Sequence, residues 1–193
     1  MGMTCRRQLS EIVRRFHAPQ RTVTVAPEEL AARGVTVLVL DFDGVLASHG
    51  DDAPLPEVEE WLRRCASVLG EERIFILSTR PAPVRAGYFR RTFPGIRVVS
   101  GVRKKPFPDG LLRIMELTGA APCQVVMLDD RLLTGVLGAC LAGVDVIYIT
   151  APYVSLARRP LLEFFFMLLR TLERGFITLI SMLPEMTERT KIS

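Results

Sequence analysis

Two aspartates stand at the end of an apolar stretch in the first quarter of the chain. Residues 35–40 read VTVLVL, Asp41 and Asp43 follow within DFDG, and Gly44 begins a turn after them. The apolar stretch predicts a parallel strand that is buried on both faces. Such a strand has no structural use for two carboxylates at its end. The pair therefore indicates nucleophilic or acid–base chemistry.

Further polar side chains follow apolar stretches later in the chain. Ser78 and Thr79 follow RIFIL, Lys105 lies in the loop VRKKP just past IRVVS, and QVVMLDD ends in Asp129 and Asp130. Hydroxyl and ammonium groups can bind the oxygens of a phosphoryl group, and carboxylates are the hard oxygen ligands that Mg²⁺ prefers. Together with the first aspartate pair, these residues predict metal-assisted phosphoryl chemistry.

The segments between these residues alternate between strand-like and helix-like patterns. Residues 56–69, 107–119 and 131–143 have the pattern of helices, and short β-rich stretches separate them. This alternation predicts an α/β fold with a doubly wound parallel sheet and right-handed crossovers. Ligands of such sheets bind at the carboxyl ends of the strands. We therefore expect the polar residues to meet in one crevice although they are far apart in the sequence.

In this order, the stretches resemble the signature motifs of the haloacid-dehalogenase superfamily. DFDGV is similar to motif I, FILS to motif II, KKP to the motif III lysine before a proline, and MLDD to the acidic pair of motif IV. The stretch from KKP to VDVIYI is also similar to subfamily IIIA, which includes phosphatidylglycerophosphate phosphatases. The resemblance spans residues 27–153 and implies a Rossmann-like core, Mg²⁺ as the cofactor and a phosphate ester as the substrate.

The chain departs from the subfamily pattern at four places. Asp129 and Asp130 stand where the subfamily has Gly-Asp, and Gly135 stands where it has a later Asp. Cys-Leu replaces Asn-Arg at residues 140–141, and Ser-Thr-Arg replaces Ser-Asn-Asn at residues 78–80. The superfamily also uses an Asp-Asp form of motif IV. We therefore expect Asp129 to supply the acid that is missing at position 135.

The resemblance implies a role for each matching residue at the phosphoryl group. Asp41 is the expected nucleophile, which would form an aspartyl-phosphate, and Asp43 is the expected general acid and then the general base. Ser78 is expected to bind a phosphoryl oxygen, and Thr79 to act as a second phosphate donor or as a helix cap. Lys105 is expected to neutralise both Asp41 and the phosphoryl group.

The resemblance also implies a Mg²⁺ site. Asp130 is expected to hold the ion together with Asp41 and the main-chain carbonyl of Asp43, and Asp129 is expected to assist or to cap the following helix. No direct role is expected for His49, a lone histidine beside the motif I loop. The four scattered cysteines lack the spacing of a zinc site and are typical of reduced thiols.

Composition limits the class of protein further. The 193 residues are 49% hydrophobic and carry a net charge of +4, which fits one globular domain with an anionic partner such as phosphate, nucleic acid or acidic lipid. The N-terminus lacks the apolar core of a signal peptide. Each gap between the motifs that could carry an inserted cap domain has the length of a single helix. A capless, open site suits a large or surface-bound substrate.

Both terminal segments have amphipathic patterns. Residues 5–17 predict a basic helix that packs on the domain or binds a membrane surface or a partner. An organellar presequence is a third alternative, against which Glu11 counts. Residues 160–183 are the most apolar stretch, but Arg170, Glu173 and Arg174 interrupt it, so it is too polar to span a bilayer. We expect this segment to lie at a membrane surface, with packing on the sheet as the alternative.

These patterns divide the chain into a basic helix and link (residues 1–26), a phosphatase core (27–155) and an apolar amphipathic tail (156–193). The resulting hypothesis is a Mg²⁺-dependent phosphomonoesterase that converts phosphatidylglycerophosphate to phosphatidylglycerol, a cardiolipin precursor. It would be peripheral, on the cytoplasmic or organellar-matrix face of a membrane. A phosphatase of soluble sugar phosphates or nucleotides and a catalytically weak membrane-associated scaffold stay open as alternatives. No nucleic-acid partner is expected, because no aromatic-and-basic stripe is present.

Overall fold

A computed structural model describes residues 3–15, 18–78 and 83–182. Five short parallel strands form one sheet with the order β3-β2-β1-β4-β5. Their bounds are Val37–Leu40 (β1), Ile74–Leu77 (β2), Arg97–Val99 (β3), Val125–Asp129 (β4) and Asp145–Tyr148 (β5). This order confirms the doubly wound parallel sheet that the sequence predicts.

Helices connect the strands and cover the sheet. Their bounds are Met3–Arg15 (α1), Pro27–Ala32 (α2), Pro56–Leu69 (α3), Pro83–Thr92 (α4), Asp109–Thr118 (α5), Leu137–Ala142 (α6) and Pro160–Met182 (α7). The predicted helix over residues 131–143 is interrupted, because a π-helical turn at Leu132–Val136 precedes α6. Such turns are frequent at functional sites.

The central strand β1 is completely buried, as its composition predicts. Val37 and Val39 face one apolar cluster, and Leu38 and Leu40 face the other, as the two-residue period of a strand requires. Strands β2 and β4 pair with β1 on either side. The pairing continues past the end of β1, because the backbone N–H of Asp41 donates to the Leu128 carbonyl at 3.0 Å.

Only single helices separate the strands where a cap domain would be inserted. Between β1 and β2 the chain forms α3, and between β3 and β4 it forms α5, each followed by a short 3₁₀ turn. Both connections lie entirely within the described residues. The carboxyl edge of the sheet is therefore open, in agreement with the capless fold expected from the sequence.

The terminal helices α1 and α7 pack against each other on one side of the sheet. Leu9 of α1 and Ile177 of α7 are buried in the same apolar cluster as Val37 and Val39. The guanidinium of Arg6 donates to the carbonyl of Ile180. The basic N-terminal helix thus packs on the domain, which is one of its predicted alternatives. Its predicted last two residues lie outside the described ranges. In the described parts of the chain, no helix combines the length and apolarity needed to span a bilayer.

Candidate active site

Three carboxylates meet at the carboxyl edge of the sheet. Asp41 follows β1, Asp129 ends β4, and Asp130 follows it, so adjacent parallel strands deliver all three to the same place. One oxygen of each carboxylate lies within 4.8 Å of the others. The sequence predicted this meeting from the positions of the residues at strand ends.

Lys105 joins two of these carboxylates. Its Nζ donates to Oδ1 of Asp41 and to Oδ2 of Asp129, at 2.7 Å in both cases. Burial opposes the charge on the lysine, but Asp129 and Asp41 outweigh burial and raise the pKa of Lys105. Burial raises the pKa of Asp41 to about 6, although Lys105 acts to lower it. The ammonium therefore stays charged and orients the carboxylate of Asp41.

Asp129 and Gly135 compete for the same space. A Cβ atom at position 135 would lie 1.8 Å from Oδ2 of Asp129, which is far inside van der Waals contact. The carboxylate of Asp129 therefore occupies the space that a side chain at position 135 would need. Asp129 also accepts a hydrogen bond at 2.9 Å from the backbone N–H of Arg131, at the start of the π turn. Its side chain thus contacts both Lys105 and the residue that precedes the π turn.

The two carboxylate oxygens of Asp130 have different surroundings. Nε of Arg170, from α7, donates to Oδ2 of Asp130 at 2.6 Å. Among the described residues, Oδ1 of Asp130 is buried and has no hydrogen-bond partner. Burial raises the pKa of Asp130 to about 7, although Arg170 opposes that shift.

The three carboxylates fit a divalent metal ion. An unpartnered buried oxygen is costly unless a cation or a donor satisfies it, and Oδ1 of Asp130 is such an atom. The neighbouring ligands from Asp41 and Asp129 are also carboxylate oxygens, which are the donors that Mg²⁺ prefers.

The carboxylate of Asp43 turns toward α4 instead of joining this cluster. Arg85 donates to its two oxygens at 3.0 and 2.8 Å, and the backbone N–H of Gly50 donates at 3.1 Å. The same guanidinium lies over the ring of Phe42, with 3.9 Å between its central carbon and the ring centroid. Burial acts to raise the pKa of Asp43, but Arg85 outweighs burial and lowers it. Asp43 is therefore held in its ionised form.

An open cleft of about 610 Å³ lies over the acidic cluster. Ser78, at the end of β2, lines it, whereas Thr79 lies outside the described residues. Two apolar side chains of α7, Leu162 and Phe166, form another part of the wall. The cleft therefore has a charged floor and an apolar rim.

Sequence reasoning missed several residues that position the site. It gave no role to Arg85, and it expected none for His49, which lines the cleft. The ring of His49 stacks on Phe166 with 3.8 Å between centroids, and its Nδ1 lies 3.3 Å from a carboxylate oxygen of Glu163. Burial, reinforced by Arg170, lowers the pKa of His49 although Asp43 and Glu163 act to raise it.

Glu173 of α7 holds the π turn beside the cleft. Its carboxylate accepts hydrogen bonds from Nε of Arg131 and from the backbone N–H of Leu132, both at 3.0 Å. The available signal in the sequence was the spacing of charges in an otherwise apolar segment. Glu163, Arg170 and Glu173 recur at helical intervals, and all three are buried.

The comparisons with known proteins agree with this geometry. The family model described as a hydrolase, haloacid dehalogenase-like hydrolase, matches residues 5–143. No curated protein matches the sequence. A structure of an uncharacterized protein from Listeria monocytogenes serotype 4b is similar, with a TM-score of 0.52 and 14% identity, over 65% of this chain and 85% of that chain.

Two other solved structures are similar to lesser degrees. An uncharacterized protein from Corynebacterium glutamicum has a TM-score of 0.47 and 24% identity, over 66% of this chain and 91% of its own. The cobalt-bound deoxy-D-mannose-octulosonate 8-phosphate phosphatase from Haemophilus influenzae has a TM-score of 0.46 and 17% identity, over 71% of this chain and 90% of its own. The family match covers well over half of the chain and includes the whole acidic cluster. The chain therefore belongs to the haloacid dehalogenase-like hydrolases.

Proposed function

We propose that this protein is a Mg²⁺-dependent phosphomonoesterase that works through an aspartyl-phosphate on Asp41. The observation that carries the proposal is the carboxylate of Asp41, held at one oxygen by Lys105 and flanked by two further carboxylates in an open cleft. A cation bound by carboxylates next to a positioned nucleophile suits attack on an anionic phosphate ester. Membership of a hydrolase family supports the same reaction class.

In the first step, the Asp41 oxygen that is not bound by Lys105 attacks phosphorus. A bond forms between this oxygen and phosphorus, the ester P–O bond breaks, and Asp43 protonates the leaving alkoxide. Asp43 must gain a proton for this step, so its hydrogen bonds with Arg85 must loosen when substrate enters. Ser78 and Lys105 bind the phosphoryl oxygens.

In the second step, ionised Asp43 removes a proton from water, and the water oxygen attacks phosphorus of the aspartyl-phosphate. The acyl-phosphate bond breaks, inorganic phosphate leaves, and Asp41 is regenerated. The clamped, ionised state of Asp43 in the structure is the form that this step needs.

Asp41, Asp129, Asp130 and the main-chain carbonyl of Asp43 are the groups that would hold the Mg²⁺ ion. When bound, the ion reduces the repulsion between the anionic nucleophile and the anionic phosphoryl group. Arg170 contacts the opposite oxygen of Asp130 and so leaves Oδ1 available.

We assign phosphatidylglycerophosphate in a membrane surface as the substrate, with phosphatidylglycerol as the product. The absence of a cap domain from the two strand connections leaves room for a headgroup that remains attached to a bilayer. Leu162 and Phe166 give the cleft an apolar rim, which suits an amphiphilic ester. The resemblance of the motif III and IV stretches to subfamily IIIA supports the same substrate.

The test is phosphate release from phosphatidylglycerophosphate in vesicles and from glycerol 3-phosphate, each with Mg²⁺ and with a chelator. We expect lipid turnover in the wild type and a loss of at least about 10³-fold in Asp41→Asn. Asp145→Asn is the matched control, because Asp145 is half exposed and pairs with Arg33 away from the cleft. Turnover of the soluble ester alone would exclude the lipid substrate, and equal activity in both variants would exclude the mechanism.

A further inference from the structure

Helix α7 packs on the protein through its charged side. Of its 23 residues, Glu163, Arg170, Glu173 and Ile177 are buried. Three of these four are charged: Arg170 and Glu173 form ion pairs with Asp130 and Arg131, and Glu163 lies 3.3 Å from Nδ1 of His49. The inner face of α7 is thus a polar contact with the catalytic centre.

The outer face of α7 is apolar and exposed. Ten of the sixteen large apolar side chains that are exposed in the described residues belong to this helix. They are Leu161, Leu162, Phe164, Phe165, Met167, Leu168, Leu172, Phe176, Leu179 and Met182. We call these ten residues the outer face. Helices of water-soluble domains usually have the reverse orientation, with apolar residues inward.

This orientation leaves a contiguous apolar surface in contact with water. Burial of one large apolar side chain stabilises a protein by about 1.5–3 kcal/mol. The side chains of the outer face do not contribute this free energy while they are in contact with water. Exposed apolar surfaces of this extent mark sites of interaction with proteins or membranes. The outer face is therefore expected to bind a partner or a membrane.

We propose that the outer face docks on an anionic lipid bilayer and places the rim of the cleft at the membrane surface. Exposed arginines lie on α1 and just before α7. Arg7 and Arg15 are exposed on α1, which packs beside α7, and Arg158, which pairs with Asp51 at 3.3 Å, has a side chain that is 74% exposed. Arginines beside an apolar helical face are the arrangement that binds anionic lipid.

The cleft lies next to the outer face. Leu162 belongs both to the outer face and to the wall of the cleft that contains Asp41. An apolar surface that is continuous with a phosphate-binding cleft fits an amphiphile whose headgroup enters the cleft while its chains stay in the bilayer. A second copy of the chain on the same surface would cover this rim. The bilayer is therefore the occupant that the geometry favours.

This docking deepens the proposed function, but it does not depend on turnover. The test measures co-flotation of the full chain with vesicles of phosphatidylcholine alone or mixed with phosphatidylglycerol. The test variant is Leu168→Ser/Leu172→Ser/Phe176→Ser, and the matched control is Leu112→Ser/Leu117→Ser/Leu141→Ser. The control removes equally exposed apolar side chains from α5 and α6.

We expect the wild type, Asp41→Asn and the control triple variant to bind the mixed vesicles. The α7 variant should bind at least about 10-fold more weakly, while its hydrolysis of p-nitrophenyl phosphate stays within about twofold of the wild type. In Leu172→Trp, the tryptophan fluorescence should shift to shorter wavelength when the mixed vesicles are added, and it should not shift with vesicles of phosphatidylcholine alone. The native Trp61 is buried, so its fluorescence should stay constant.

Three results would overturn the docking proposal. The wild type could fail to bind the mixed vesicles, or both triple variants could lose binding equally. Light scattering could also show that the wild type and the control are oligomers, that the α7 variant is a monomer, and that none of them binds vesicles. That result would identify a second copy of the chain as the occupant of the outer face. Vesicle binding without phosphatase activity would instead reject the proposed function and leave the docking surface intact.

Discussion

At the scale of single residues, the positions 129 and 135 are sterically coupled. The space for a Cβ at position 135 is filled by the Asp129 carboxylate, which Lys105 binds at 2.7 Å. This explains how the chain can lack the later acid of the subfamily pattern: an acid at 129 and a side chain at 135 exclude each other. We infer that the cluster requires one acid at either position.

This coupling predicts the behaviour of a double-variant cycle. Gly135→Asp should reduce activity by about 10²-fold or more because its side chain displaces Asp129, and Asp129→Gly should do the same because an acid is lost. The variant Asp129→Gly/Gly135→Asp should recover at least about 10-fold over either single variant. The measurement is kcat/KM at saturating Mg²⁺, with circular dichroism to confirm folding. Additive losses in the double variant would contradict the coupling.

At the scale of elements, α7 belongs to the active site as much as the strands do. Arg170 reaches Asp130, and Glu173 binds both Arg131 and the backbone of Leu132. These contacts fix a metal-ligand candidate and the π turn that follows β4. A helix outside the sheet thus determines the positions of groups that the strands deliver.

Removal of Arg170 tests this role. Arg170→Met should destabilise the metal-free protein by about 3–5 kcal/mol, because it removes the cation that balances the buried carboxylate of Asp130. Mg²⁺ should then raise the Tm of the variant by more than it raises that of the wild type, since the ion replaces the lost positive charge. Thermal unfolding with Mg²⁺ or with a chelator measures both effects. The control is Arg158→Met, because Arg158 is exposed and its removal should change neither the stability nor the response to Mg²⁺. An equal response to Mg²⁺ in both variants would contradict the role of Arg170.

At the scale of the whole molecule, the acidic centre makes stability depend on pH and metal. Burial raises the pKa of Asp41 to about 6 and that of Asp130 to about 7, against about 3.9 in an unfolded chain. Between these values the folded protein binds more protons than the unfolded chain does. The contribution of these two groups to the free energy of unfolding is therefore greatest below about pH 4, and it is lost as the pH rises through about 6 to 7.

We therefore expect the Tm of the chelator-treated protein to be lower at pH 8 than at pH 5.5. Added Mg²⁺ should raise the Tm by more at pH 8 than at pH 5.5. In Asp130→Asn the fall should be smaller, because asparagine does not titrate. Asp145→Asn, a half-exposed control, should follow the wild type. Calorimetry of the three proteins at both pH values measures the slopes, and identical slopes in all three would show that the acidic centre does not control stability.

The sheet and the acids at its edge could be predicted from local sequence patterns. The buried strand at residues 37–40, the helix at Pro56–Leu69 and the polar residues at strand ends follow from local patterns, because periodicity and residue order need no knowledge of distant partners. In a doubly wound parallel sheet all strand ends lie at one edge, so Asp41 and Asp130 were expected at the same edge. The missing cap domain also followed from the lengths of the connections.

The partners of these acids and the orientation of α7 depend on contacts between distant parts of the chain. Arg85 and Arg170 lie 42 and 40 positions from the carboxylates that they bind, and no local pattern identifies such pairs. A hydropathy pattern shows that α7 has two faces but not which one is inward. The inward face is charged because it meets the buried carboxylate of Asp130 and the half-buried guanidinium of Arg131, which need partners of opposite sign.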